Sequence, residues 1–252
     1  MYEVLYNTAK KYDAELAMSG CRFVGGNMFN QSGESIEKTY FNEETPFGEA
    51  DIKDLLLGVA GALPNEPDDS RYGVSVWKNI FKRNVIEENN VRFLSERIIL
   101  SEDTLFMMDY IHCIKSAVGV PGTFYNYCRN GDSLSKAYKK ERFPKSLVFL
   151  NELEMRLAKD VSKEEYQIYL DRLTQGFGRI LCSQEIMHAQ ENKIKFWDLR
   201  KRLKEICTCE EISGALKKFP WYKLPVKQAV FAFTIKYRLY LLQKIIVVFR
   251  GR

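Results

Sequence analysis

Leu100-Ser101-Glu102-Asp103-Thr104-Leu105-Phe106 is the stretch on which the reading of this chain turns. Serine is favoured at a helix N-cap, and Glu102 and Asp103 would then fall in the first turn. Acids there gain about 0.3–1 kcal/mol each from the helix dipole. Leu105, Phe106, Tyr110, Ile111 and Ile114 follow at helical spacing and predict one packed face. By spacing alone the acidic pair is a cap.

Its neighbours supply a second reading. Upstream stand Val74-Ser75-Val76-Trp77-Lys78-Asn79-Ile80-Phe81-Lys82-Arg83 and Ile86-Glu87-Glu88-Asn89-Asn90-Val91-Arg92-Phe93. Downstream stand Phe124-Tyr125-Asn126-Tyr127-Cys128-Arg129 and Ser133-Leu134-Ser135. In that order and spacing, over residues 1 to about 145, the blocks resemble the acceptor-side half of a bacterial family 2 glycosyltransferase of GT-A fold. The resemblance implies that Asp103 is the base that deprotonates an acceptor hydroxyl, with Glu102 beside it as orienter or cap. It implies a uridine-type nucleotide-sugar donor and a saccharide or lipid-linked acceptor, in cell-surface polysaccharide synthesis. For the complete enzyme it also implies a divalent metal, manganese or magnesium.

Inverting glycosyl transfer needs a carboxylate for the attacking hydroxyl and something to offset charge on the departing diphosphate. The sequence offers Asp103 for the first task. For the second, no Asp-x-Asp follows a hydrophobic strand, and no glycine-rich phosphate cradle is present. Asp68-Asp69, in the loop Leu63-Pro64-Asn65-Glu66-Pro67-Asp68-Asp69-Ser70, reads as solvated turn residues. In the family, a segment like Met1-Tyr2-Glu3-Val4-Leu5-Tyr6 follows the strand that ends in the metal-binding Asp-x-Asp. The expectation is a chain truncated at its start, without the nucleotide half, and weak or inactive alone. The competing expectation is a non-catalytic, membrane-associated binding module, or a partner subunit of a split glycosyltransferase.

Four further residues are substrate-binding candidates. Trp77 is either a stacking wall for an acceptor sugar or a core tryptophan. Lys78 and Arg97 either meet phosphate or are solvated surface charges. Arg129 follows the Tyr125 and Tyr127 alternation and would reach a diphosphate from the rim, while the tyrosines read as strand packing. Relatives often carry Asn-Lys after the tryptophan, where this chain has Lys78-Asn79.

The net charge is +5, and no acidic residue follows Glu211. Nine lysines and arginines lie beyond it, so a mildly acidic body carries a basic tail. That tail also holds Trp221, Phe231, Phe233, Tyr237, Tyr240, Leu241, Ile245, Val248 and Phe249. Lys236, Arg238 and Lys244 interrupt every window of about 20 apolar residues that a membrane span needs. Two readings remain for residues 219–252: an interfacial segment on anionic lipid, or a helix docked on the body. No nucleic-acid motif accompanies the charge. The six cysteines are scattered without a CxxC, His112 and His188 are isolated, and Met1 leads directly into the helical pattern Tyr2, Leu5, Tyr6, Ala9 rather than a signal peptide. These features predict reduced thiols, no metal ligands within this chain, and a cytoplasmic protein, peripheral at the inner face of the membrane if the tail binds lipid.

The expected fold class is α/β, the α+β remainder of a GT-A-like mixed sheet, helix-rich and followed by a helical C-terminal region. Periodicity predicts a helix through about Lys11, strands at 14–18 and 35–41, a helix from about Gly48 to Ala60, and a short strand at 116–120 ended by a turn at Pro121-Gly122. Helices are expected from Phe143 to about Lys218, with Gly176 and Gly178 serving close helix contact rather than phosphate binding. The organisation would be a partial glycosyltransferase domain at 1–145, a helical extension at 146–218 and a tail helix at 219–252.

Overall fold

The computed structural model describes residues 1–25, 35–128 and 138–250. The first helix, α1 (Tyr2–Lys11), turns Leu5 and Thr8 inward. β1 (Leu16–Val24) extends well past the expected strand because its first six residues are buried on both faces, so polar alternation gives way there. β2 (Ile36–Lys38) and β3 (Thr45–Phe47) are short. A 3-10 turn at Glu49–Asp51 leads into α2 (Ile52–Ala60), with the Gly48 N–H donating to Asp51 Oδ2 at 2.9 Å. The prolines of the 63–70 loop separate this helix from a 3-10 turn at Val76–Lys78, β4 (Asn79–Phe81) and α3 (Arg83–Glu88). α4 (Glu102–Ile111) and β5 (Ala117–Cys128) complete the mixed α/β part.

Among the described residues a five-stranded sheet is built around β1. β5 runs parallel to it on one side, and β3 lies antiparallel beyond β5. On its other side β4 pairs antiparallel with Leu16–Met18 and β2 with Cys21–Phe23. β5 does not stop at Pro121-Gly122 as expected. Its register against β1 shifts on either side of Gly20, which absorbs the extra residues as a bulge. Gly122 takes φ 117°, open to glycine alone, and a Cβ on Gly20 would stand 2.3 Å from the Lys38 carbonyl.

One face of the sheet, with Leu16, Met18 and Ala117, packs on α2, α4, α5 (Arg142–Asp160) and the first turns of α6 (Lys163–Glu191) up to Leu170. The other face seats Leu5 of α1 on Ala17, Val118 and Val120. From Leu181 onward the 29-residue α6 joins a second core with α7 (Phe196–Thr208) and α8 (Glu210–Lys218). Gly178 brings α6 close to α8, a Cβ there lying 3.0 Å from Ile212. The residues read as one tail helix form a 3-10 turn at Trp221–Lys223 and two helices, α9 (Val226–Lys236) and α10 (Tyr240–Arg250). Arg238, with φ 58°, makes the break. The reversal tucks Gln243 inside, where its Nε2 donates to the Thr234 carbonyl at 3.1 Å. Phe231, Ala232 and Ile235 dock α9 on the second core.

Candidate functional site

α4 holds the acidic pair as its first two residues, but the cap differs from expectation. Ser101 sits in the left-handed region (φ 56°), and its hydroxyl makes no capping bond. Its carbonyl instead accepts the Thr104 N–H at 2.9 Å. Thr104, Leu105, Phe106, Met107 and Met108 are buried, so the helix is fixed by packing. Asp103, half-buried, is thereby turned across to the Val76–Lys78 turn, where its Oδ2 accepts the Val76 N–H at 3.4 Å. Burial pushes its carboxyl above the usual carboxylate range; the Val76 N–H opposes this and the Glu102 charge adds to it. A carboxylate raised in this way is a better proton acceptor near neutral pH.

The same turn carries Trp77, half-buried and laid over β5, its ring 4.4 Å from Tyr125 and 5.4 Å from Tyr127. Phe23 closes edge-on to Tyr127 at 5.5 Å. Trp77 is therefore a partly exposed ring backed by two strand tyrosines, standing next in sequence to the Val76 amide that holds Asp103. The tyrosines, read only as strand packing, are its support. Their two-residue spacing on a strand was the signal that both share one face.

Lys78 is not a solvated charge: it is only 1 % exposed. Its ammonium donates to the Tyr72 carbonyl at 3.1 Å and lies 4.5 Å from the centre of the Tyr40 ring. Burial draws its pKa down to about 7, with the Cys21 thiol opposing the shift and Lys38 adding to it. It braces the turn from within. Ser19 Oγ donates to the Lys78 carbonyl at 2.9 Å and ties the turn to β1. Arg97 stands exposed on the segment before α4, its backbone N–H donating to Ser95 Oγ. Arg129 and the Ser133-Leu134-Ser135 block lie outside the described residues.

Asp68 and Asp69, read as solvated turn residues, are instead anchors. Asp69 Oδ1 meets Arg172 Nε at 3.3 Å and Arg179 Nη2 at 2.5 Å, and Asp68 pairs with Lys38 at 3.0 Å. Arg172 is wholly buried and donates from Nη2 to the carbonyls of Glu66 and Asp68 at 3.0 and 2.9 Å. α6 thus pins the 63–70 loop, that loop delivers Tyr72, and the Tyr72 carbonyl holds Lys78 beneath the Trp77 turn. Partners about a hundred residues apart leave no local pattern, which is why the sequence did not reveal them. His112 packs through Nδ1 against Asp160. Among the described residues no group of three or more His, Cys, Asp or Glu side chains is placed to hold a metal ion.

No family model matches the chain, and no curated protein matches it in sequence. Among solved structures it is similar to the crystal structure of S. aureus TarS residues 1–349 in complex with UDP-GlcNAc, at a TM-score of 0.48 and 12% identity. The match covers 95% of this chain and 61% of that one, so the chain spans less than two thirds of that chain.

Proposed function

We propose that this chain is the acceptor side of a nucleotide-sugar-dependent glycosyltransferase, with Asp103 as its general base. The observation that carries the reading is the half-buried Asp103 carboxylate, raised in proton affinity and held by the Val76 amide one residue from the Trp77 ring. On this reading the apolar face of an acceptor pyranose stacks on Trp77. The acceptor hydroxyl gives its proton to Asp103, its oxygen bonds to the anomeric carbon of the donor, and the nucleoside diphosphate leaves from the opposite face. Glu102 keeps the carboxylate basic by its neighbouring charge. The divalent metal implied by the resemblance would offset the diphosphate's charge and belongs, on this reading, to the donor side.

Binding of the full chain to immobilised bacterial glycans and lipid-linked saccharides, followed by a transfer assay with UDP-sugars and manganese, tests the proposal. Trp77→Ala is expected to weaken glycan binding about fivefold, in line with about 1 kcal/mol for an aromatic contact. Asp103→Asn is expected to preserve glycan binding and to lower transfer by about 10²–10⁴-fold. The acid limb of the transfer profile should lie above the ordinary carboxylate range, since Asp103 is the group that must be ionised. Glycan binding indifferent to Trp77→Ala, or transfer indifferent to Asp103→Asn, would overturn the reading. Saccharide binding that requires Trp77, with no transfer from any donor, would favour a non-catalytic unit of a split enzyme.

A further inference from the structure

α9 and α10 are apolar on two sides. Inward, Phe231, Ala232, Ile235 and Tyr240 belong to the second core. Outward, α9 exposes Val226, Val230, Phe233 and Tyr237, spaced by four, three and four residues along one stripe. α10 exposes Leu241, Ile245 and Phe249 at successive intervals of four. The exposure is substantial: 78% at Val226, 60% at Leu241 and 69% at Phe249. Single exposed hydrophobes are ordinary on a soluble protein, but consecutive stripes on neighbouring helices need an occupant.

Charge selects among occupants. Between Ile212 and Arg252 the chain has nine basic residues and no acidic one. A second copy of this chain meeting the first through these helices would set like charges against each other. An anionic bilayer meets both features at once, apolar below the headgroups and negative at them. Bases border the stripes: Lys236 Nζ lies 5.6 Å from the Trp221 ring and Lys244 Nζ 5.8 Å from Phe196, so cationic groups sit beside half-buried rings of the same surface. Neither helix is long enough to cross, at 11 residues each, and no helix among the described residues qualifies as a span. We propose that α9 and α10 form an interfacial docking surface for anionic phospholipid. The two stripes enter the headgroup–acyl boundary, and Lys223, Lys236, Arg238 and Lys244 meet lipid phosphates.

Flotation of the full chain with vesicles of phosphatidylcholine, alone or with about 30% phosphatidylglycerol, tests this. Recovery is expected to be about tenfold higher with the anionic vesicles and to fall several-fold in about 0.5 M salt. V226S/V230S/L241S/I245S, whose fold is checked by circular dichroism and Tm, should lose most of the recovery. K223E/K236E should lose the preference for anionic lipid. Equal recovery from neutral and anionic vesicles, or unchanged recovery for the serine variant, overturns the proposal. So does a dimer in light scattering that the serine variant dissolves while neither protein floats. Retention by RNA or by an acidic protein without vesicle binding overturns it as well.

Discussion

The part of the molecule up to α6 buries charge, whereas the helices beyond it expose hydrocarbon. Among the described residues, the buried charged side chains are Lys78, Asp171 and Arg172, all at or before the first turns of α6. In the second core the buried polar side chains include Thr234 and Gln243, both uncharged, and its outer surface carries Val226, Leu241 and Phe249. A charge taken out of water demands a partner in a fixed position, so buried charges define geometry. Hydrocarbon left in water demands only cover, so exposed stripes define a surface. The difference teaches that the first region fixes the positions of a few polar atoms, whereas the second leaves apolar stripes uncovered.

The largest effect should come from removing the deepest charge. Arg172→Ala leaves the Glu66 and Asp68 carbonyls without their donor and Asp69 with Arg179 alone. The expected loss is about 3 kcal/mol. That corresponds to a Tm lower by roughly 10 °C for a protein of this size, read by calorimetry. A loss below about 1 kcal/mol would erase the contrast between the regions, since that is the scale of an exposed pair.

Lys78 sharpens the same point through pH. Its folded pKa is about 7 against 10.5 for the free group, so between those values the unfolded chain holds a proton that the folded one has released. Stability therefore rises as pH climbs from about 7, by at most about 1.4 kcal/mol per pH unit, and the burial penalty is fully present below that point. Lys78→Met should flatten the profile. Cys21 and Tyr40 are both pushed up by burial, so any slope they add as the unfolded chain ionises is opposite in sign to that of Lys78. Urea unfolding at intervals from pH 6.5 to 8.5 reads the slopes; parallel slopes for wild type and Lys78→Met would place the ammonium in water.

Periodicity exposed what repeats locally. α1, α2 and α5–α8 were legible because their apolar faces recur at helical spacing, and the packed face of α4 was legible from Leu105 to Ile114. β5 was not, because Pro121-Gly122 has the composition of a turn and only pairing with β1 turns it into a bulge. The break at Arg238 was hidden for a similar reason: nothing in Tyr237-Arg238-Leu239 announces a left-handed residue. Block order singled out the acidic pair and Trp77, and the structure sets Asp103 against the turn that carries Trp77. The burial of Lys78 and the anchoring of Asp69 were not, because both depend on contacts between distant segments. Ser101 was misread as a side-chain cap, although its backbone is what closes the first turn.

Asp103→Asn should move stability slightly upward. The carboxyl's folded pKa lies above its ordinary value, so its ionised form is disfavoured by folding once pH exceeds that folded value, and the neutral amide avoids the penalty. A small rise in Tm at pH 7 that vanishes when both proteins are compared near pH 3.5 is the expected result, and a fall at pH 7 would make the charge a structural asset.

The smallest effect on stability is expected where the hydrophobes stand outside. Val226→Ser and Val230→Ser remove methyl groups from side chains that face solvent, so each should change unfolding free energy by no more than about 0.5 kcal/mol. Phe231, one residue from Val230 but 1% exposed, belongs to the opposite class, where truncation to alanine typically costs about 3–5 kcal/mol. If the two valine variants instead destabilise by more than about 1 kcal/mol in denaturant titrations, the α9 stripe supports the fold and the second region is no longer distinct from the first. If they leave stability alone while abolishing flotation, the exposed hydrocarbon is separable from folding. Its role then lies in what covers it.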